Sequence, residues 1–146
     1  MKERLMEDLK TAMKARQPEK VASIKSVRQA VIGFEKDNPG KELTEDVFAS
    51  LVDGLIKTRT KSIEEYTKAD RLDLAEPEQV EIDFIKVYLP ERVNEETIRE
   101  FALATKTETG ASSMQDMGMM MGKLKAHFGA TAKPADISKI VKEILS

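Results

Sequence analysis

Residues 18–34 read PEKVASIKSVRQAVIGF, and the spacing inside this stretch decides the fold. It is rich in Val and Ile, which by propensity alone would suit a strand. Its apolar residues do not alternate, however. Val21, Ile24, Val27, Val31 and Phe34 recur at three- and four-residue intervals and fall on one face of a helix. Pro18 suits the first turn of that helix, where a missing N–H costs nothing, and Asp37-Asn38-Pro39-Gly40 is a concentrated stop signal.

The same period extends in both directions. Leu5, Leu9 and Met13 predict a first helix over about residues 3–16. Thr44 is a good N-cap, with Glu45 and Asp46 in the first turn. A long third helix follows to about Lys68, with Val47, Leu51, Leu55, Ile63 and Tyr66 on its buried side and an exposed basic turn from Lys57 to Lys61. Residues 70–75 read as a break, and Pro77 as the start of a fourth helix. That helix carries Val80, Phe84, Val87 and Tyr88 inward and stops before Pro90. Asn94 caps a fifth helix, which should end in a polar loop over Lys106–Gly110. Ser112 and Gln115 have capping-box spacing and open a sixth helix to about His127. Gly129–Lys133 reads as a loop, and Pro134 begins a last helix striped by Ile137, Ile140, Val141, Ile144 and Leu145. The expectation is all-α: an N-terminal bundle of about four helices over residues 1–90 and a three-helix domain over 91–146.

Composition narrows the function classes. The 146 residues contain 24 Lys and Arg against 26 Asp and Glu, so the net charge of −2 excludes a globally basic nucleic-acid binder while leaving room for a local patch. There is no Cys, hence no thiolate nucleophile and no cysteine metal site. The first 16 residues are charged throughout, with no apolar signal core, and no run approaches the ~18 apolar residues of a membrane span. Cytoplasmic residence is the expectation.

Searched for chemistry, the chain offers little. His127 is the single histidine, and no motif places an orienting acid beside it. Glu64 with Glu65, and Glu78 with Glu81, read as solvated helix faces, and no E-x-x-H pair accompanies them. Gly118-Met-Met-Met-Gly122-Lys123-Leu124 has three residues between its glycines, where a phosphate loop needs four, and Leu follows the lysine in place of Ser or Thr. No metal and no cofactor are expected. Gly118 and Gly122 share a helix face at a cost in propensity, which suggests close approach of another backbone. Met117, Met120 and Met121 belong to a methionine-rich stretch suited to intradomain packing or to docking a protein partner. From Met117 to Lys142 the lysines Lys123, Lys125, Lys133, Lys139 and Lys142 face one acid, Asp136. With Lys57 and Lys61 of the third helix, they are the candidate contacts to phosphates.

Taken in order, Leu43-Thr44-Glu45-Asp46, Lys57 to Tyr66 (KTRTKSIEEY), Arg71 to Glu76 (RLDLAE), Glu81-Ile82 through Tyr88-Leu89-Pro90, Asp116 to Gly122 (DMGMMMG) and Ile140 to Leu145 (IVKEIL) resemble the GatB/YqeY family over nearly the whole chain. The match is to its stand-alone YqeY-like members. These are similar to the helical tail of GatB, a subunit of a glutamine-dependent amidotransferase, a carbon–nitrogen ligase acting on aminoacyl-tRNA. That tail contacts tRNA, and the catalytic chemistry lies elsewhere in the enzyme. The resemblance implies a tRNA-associated accessory protein without amidotransferase activity of its own, with tRNA and a translation-related protein as partners. A protein adaptor using the Met-rich face of the sixth helix is the alternative.

Overall fold

The computed structural model describes all residues from 1 to 146 and contains seven α-helices and no strand: α1 (Lys2–Lys14), α2 (Pro18–Asp37), α3 (Glu45–Lys68), α4 (Leu72–Ile85), α5 (Glu95–Thr109), α6 (Met117–Phe128) and α7 (Pro134–Leu145). Short 3-10 turns at Lys86–Tyr88, Met114–Asp116 and Gly129–Thr131 complete it. The all-α class holds. Contacts divide the chain into two compact units, Met1–Leu89 and Pro90–Ser146.

The first unit is built on α2. Ile24, Val27 and Val31 of its apolar face are buried with Leu5, Leu9 and Ala12 of α1, Phe48 and Val52 of α3, and Ile85 and Tyr88. The α1–α2 connection is tight because α1 ends in a Schellman motif. The Gln17 N–H reaches the Ala12 carbonyl at 3.1 Å, and the Arg16 N–H reaches that of Met13 at 3.2 Å. The left-handed position of the motif is held by Arg16, at φ +55°, where glycine is the usual occupant. The second unit buries Ile98 and Ala102 of α5, Met120, Leu124 and Phe128 of α6, and Ile137, Ile140, Val141 and Leu145 of α7.

Five local expectations are corrected. The fourth helix starts at Leu72, five residues before Pro77, which therefore sits inside it. Asp70, at φ +56°, ends α3 with its own Schellman motif, the Arg71 N–H bonding the Tyr66 carbonyl at 2.7 Å. The Arg71 carbonyl then accepts from the Leu74 and Ala75 N–H groups, so the supposed break is already the next helix. The buried face of α4 is accordingly Ala75, Ile82 and Ile85, while Val80 and Val87 are exposed.

The fifth helix runs through the expected loop to Thr109 and ends on left-handed Gly110. Its threonines do not break it because Thr105, Thr107 and Thr109 return their hydroxyl hydrogen bonds to carbonyls four residues back. The capping box before α6 is one residue later than its spacing suggested, formed by Ser113 and Asp116. The Asp116 carboxylate also accepts from the Ser112 N–H at 3.0 Å. Finally, a Cβ placed on Gly118 or Gly122 would meet nothing within 4 Å, so no neighbouring backbone approaches them.

Candidate binding surfaces

The expected contact lysines of the second unit are all exposed. Lys139 is already engaged, its Nζ 3.2 Å from Glu95 across to α5. Lys142 and Lys123 are exposed on α7 and α6, Lys125 is exposed on α6, and Lys133 occupies the N-cap position of α7. Lys57 and Lys61 are exposed on α3 in the first unit. Of the methionines, Met120 is fully buried, and Met117 and Met121 are half-buried against the same core. Met120 thus packs α6 on its own unit, while Met119 is exposed.

His127 stacks on the Phe101 ring at 3.8 Å between centroids and 10° between planes. It is an exposed ring lying on an aromatic neighbour. No group of three or more His, Cys, Asp or Glu converges on a point where a metal could sit.

Two clusters lay beyond the reach of sequence spacing. Arg59, expected to be exposed with the rest of its turn, is only 18% exposed and lies between two carboxylates of α4, Glu78 at 3.1 Å and Glu81. Its other terminal nitrogen donates to Ser26 of α2 at 3.1 Å. Glu78 and Glu81 are therefore not a solvated face: they face one buried-side guanidinium and tie α4 to α3. Near the other end of the unit, the Tyr88 hydroxyl donates to Asp8 at 2.5 Å, and the Arg4 guanidinium lies 4.7 Å above the Tyr88 ring. Burial first, and the hydrogen bond to Asp8 second, push the Tyr88 hydroxyl well above the usual tyrosine range. Both clusters join elements 19 to 80 residues apart in sequence, and both act as ties between helices.

A further cationic surface lies on the α1–α2 hairpin. From Lys10 to Arg28 the chain carries six cations, Lys10, Lys14, Arg16, Lys20, Lys25 and Arg28, against one acid, Glu19. None of the six is in an ion pair, whereas Lys2 and Arg4 of the same hairpin are paired with Glu35 and Asp8. At the tip of the hairpin, Ala12, Met13, Pro18, Val21 and Ala22 form the floor of an open groove of about 610 Å³, with Arg16 and Lys25 at its rim. The charge run was countable in the sequence. The groove depends on the sharp turn at Arg16, which apolar periodicity does not report.

Comparison with known proteins gives the following likenesses. The family model described as Yqey-like protein matches residues 2–145. A protein of Pyrenophora tritici-repentis named "Altered inheritance of mitochondria protein 41, mitochondrial" is 32% identical over 148 residues, covering 97% of this chain and 79% of its own length. Proteins of the same name from Lachancea thermotolerans and Saccharomyces cerevisiae are 40% and 32% identical, over 58% and 74% of this chain and 46% and 62% of their own lengths.

These names correct two expectations. The relatives are named for the inheritance of mitochondria and not for an amidotransferase or a tRNA-linked activity, which overturns the reading as a tRNA-associated, carbon–nitrogen-ligase-related accessory protein. They are also named as mitochondrial, which overturns the expectation of cytoplasmic residence.

Proposed function

The chain belongs to the Yqey-like protein family, and from that premise we propose that it is a protein-docking module serving the process in which its mitochondrial relatives act, with the basic α1–α2 hairpin as its working surface. The observation that carries this reading is the set of six unpaired cations between Lys10 and Arg28 in a chain whose net charge is −2. Arg59, Arg71, Lys86, Arg99 and Lys139 are satisfied by carboxylates of the fold; Lys123, Lys125, Lys133 and Lys142 of the second unit are not, but the hairpin run is denser, with six such cations between Lys10 and Arg28. A run of like charges left without internal partners repels itself and is held in place by the fold. Such a field attracts and orients an anionic partner.

The experiment is complementation. The chain, carrying a mitochondrial leader, is expressed in Saccharomyces cerevisiae lacking its relative, and the inheritance of mitochondria is scored. Restoration by the parent chain and failure of a Lys14→Glu, Lys25→Glu, Arg28→Glu variant, expressed at equal level, is the expected result. Restoration by both chains would remove the hairpin from the function. Failure of both would remove the shared process.

A further inference from the structure

Resting on the docking reading above, we propose that the groove between α1 and α2 receives an acidic amphipathic helix of a partner protein, with one large apolar side chain seated between Met13 and Val21 and carboxylates against Arg16, Lys25 and Arg28. The apolar tip of the hairpin is the first ground. Met13, Pro18 and Ala22 are exposed and Val21 half-buried, and together they line a shallow, open groove over buried Ala12. Beyond the groove the same side of α2 turns polar, with Lys25, Arg28 and Gln29, before Ile32, which is 47% exposed. Met6 and Met13, seven apart on α1, are 37% and 58% exposed. A surface along two helices that is apolar at the hairpin tip and cationic beyond it suits a third helix with an apolar anchor and acidic flanks.

Charge selects the sign of the occupant. Arg16 and Lys25 flank the floor, and Arg28 lies one turn further along α2 from Lys25. Arg16 occupies a left-handed position that glycine would fill without strain, and it places a cation at the groove's rim. A single small anion would satisfy one or two of the six cations and leave the surface beyond the groove bare. The floor carries no aromatic ring on which a nucleic-acid base could stack. An acidic helix meets the apolar tip and the spread of charge together.

The test uses the full chain and a fluorescent peptide of about 18 residues with Leu at one helical face and Glu on its flanks, read by anisotropy and by amide chemical shifts. Micromolar binding with shifts confined to residues 10–32, and at least roughly tenfold weaker binding of a scrambled peptide of equal composition, is the expected result. Lys25→Glu with Arg28→Glu is expected to weaken binding by a similar factor, and a peptide with Lys in place of Glu to recover it. Ala22→Trp, which fills the groove from an exposed position, and Arg16→Gly, which relieves backbone strain and so leaves the fold intact, are each expected to weaken binding. Equal binding of the scrambled peptide, shifts centred elsewhere, or binding to phosphatidylglycerol vesicles with none to the peptide would overturn the proposal. Complementation that still depends on the hairpin charges would then leave the docking function standing with a different occupant.

Discussion

Tyr88 shows how one residue can set the pH response of the first unit. Its ring is buried edge-on to Phe48, and its hydroxyl donates to the Asp8 carboxylate at 2.5 Å. Folding raises its ionisation above the ordinary value of 10.0, because burial and the neighbouring carboxylate both oppose a phenolate. The group's contribution to stability is therefore complete below pH 10 and is lost as pH climbs past 10, where the unfolded chain ionises and the folded one does not. Tyr88→Phe is expected to cost about 1–2 kcal/mol at neutral pH, the scale of a hydrogen bond to a charged group whose partner is partly exposed. It is also expected to flatten the loss of stability above pH 10. Urea unfolding at pH 7 and at a series of alkaline values measures both. An unchanged alkaline limb in the variant would show that another group carries it.

Among the elements, α6 is the one whose composition and surroundings disagree. Gly118 and Gly122 each weaken the helix, and neither is needed to admit a neighbour, since a Cβ at either position meets only open space. Gly118→Ala and Gly122→Ala are each expected to stabilise the second unit by about 0.5–1 kcal/mol. A rise in the thermal midpoint of each variant is the readout, and a fall would mean that the helix end depends on backbone freedom there.

Helix positions were largely legible from spacing, as the buried faces of α2 and α7 show: Ile24, Val27 and Val31 in one, Ile137, Ile140, Val141 and Leu145 in the other. What spacing missed has a common physical cause. The ends of α3 and α5 and the start of α4 are fixed by backbone hydrogen bonds at left-handed residues, Asp70 and Gly110, and by threonine hydroxyls turned back on their own helix. None of these alters the apolar period. Arg59 was misread for a related reason, because the carboxylates that bury it lie 19 and 22 positions away on another helix. The candidate groove required both kinds of information, a turn geometry and the pairing state of each cation.

At the scale of the whole molecule, the question is whether 57 residues, Pro90 to Ser146, hold enough core to fold without the rest. Domains near 60 residues are marginal because much of their surface stays wet. Here eleven residues are buried in one cluster, with Ile98, Met120, Leu124, Ile137 and Ile140 at full or nearly full burial. The helix ends are closed as well. Asn94 accepts from the Thr97 N–H at 2.9 Å at the start of α5, and Lys106 donates to the Ile144 carbonyl at 3.0 Å near the end of α7. Two exposed ion pairs, Arg99 with Glu143 and Lys139 with Glu95, fix α5 against α7 but add little free energy in water. The core must therefore supply most of the stability. A fragment of residues 90–146 is expected to be helical and to unfold in one cooperative transition. Ile140→Ala, which empties a fully buried site, should remove about 2–5 kcal/mol, and this would leave a domain of such size largely unfolded at 25 °C. Circular dichroism of the fragment and its variant during thermal melting decides the matter. A non-cooperative melt of the parent fragment would show that its core is completed only in the full chain, and an Ile140→Ala fragment melting like the parent would show that α7 does not hold the unit together.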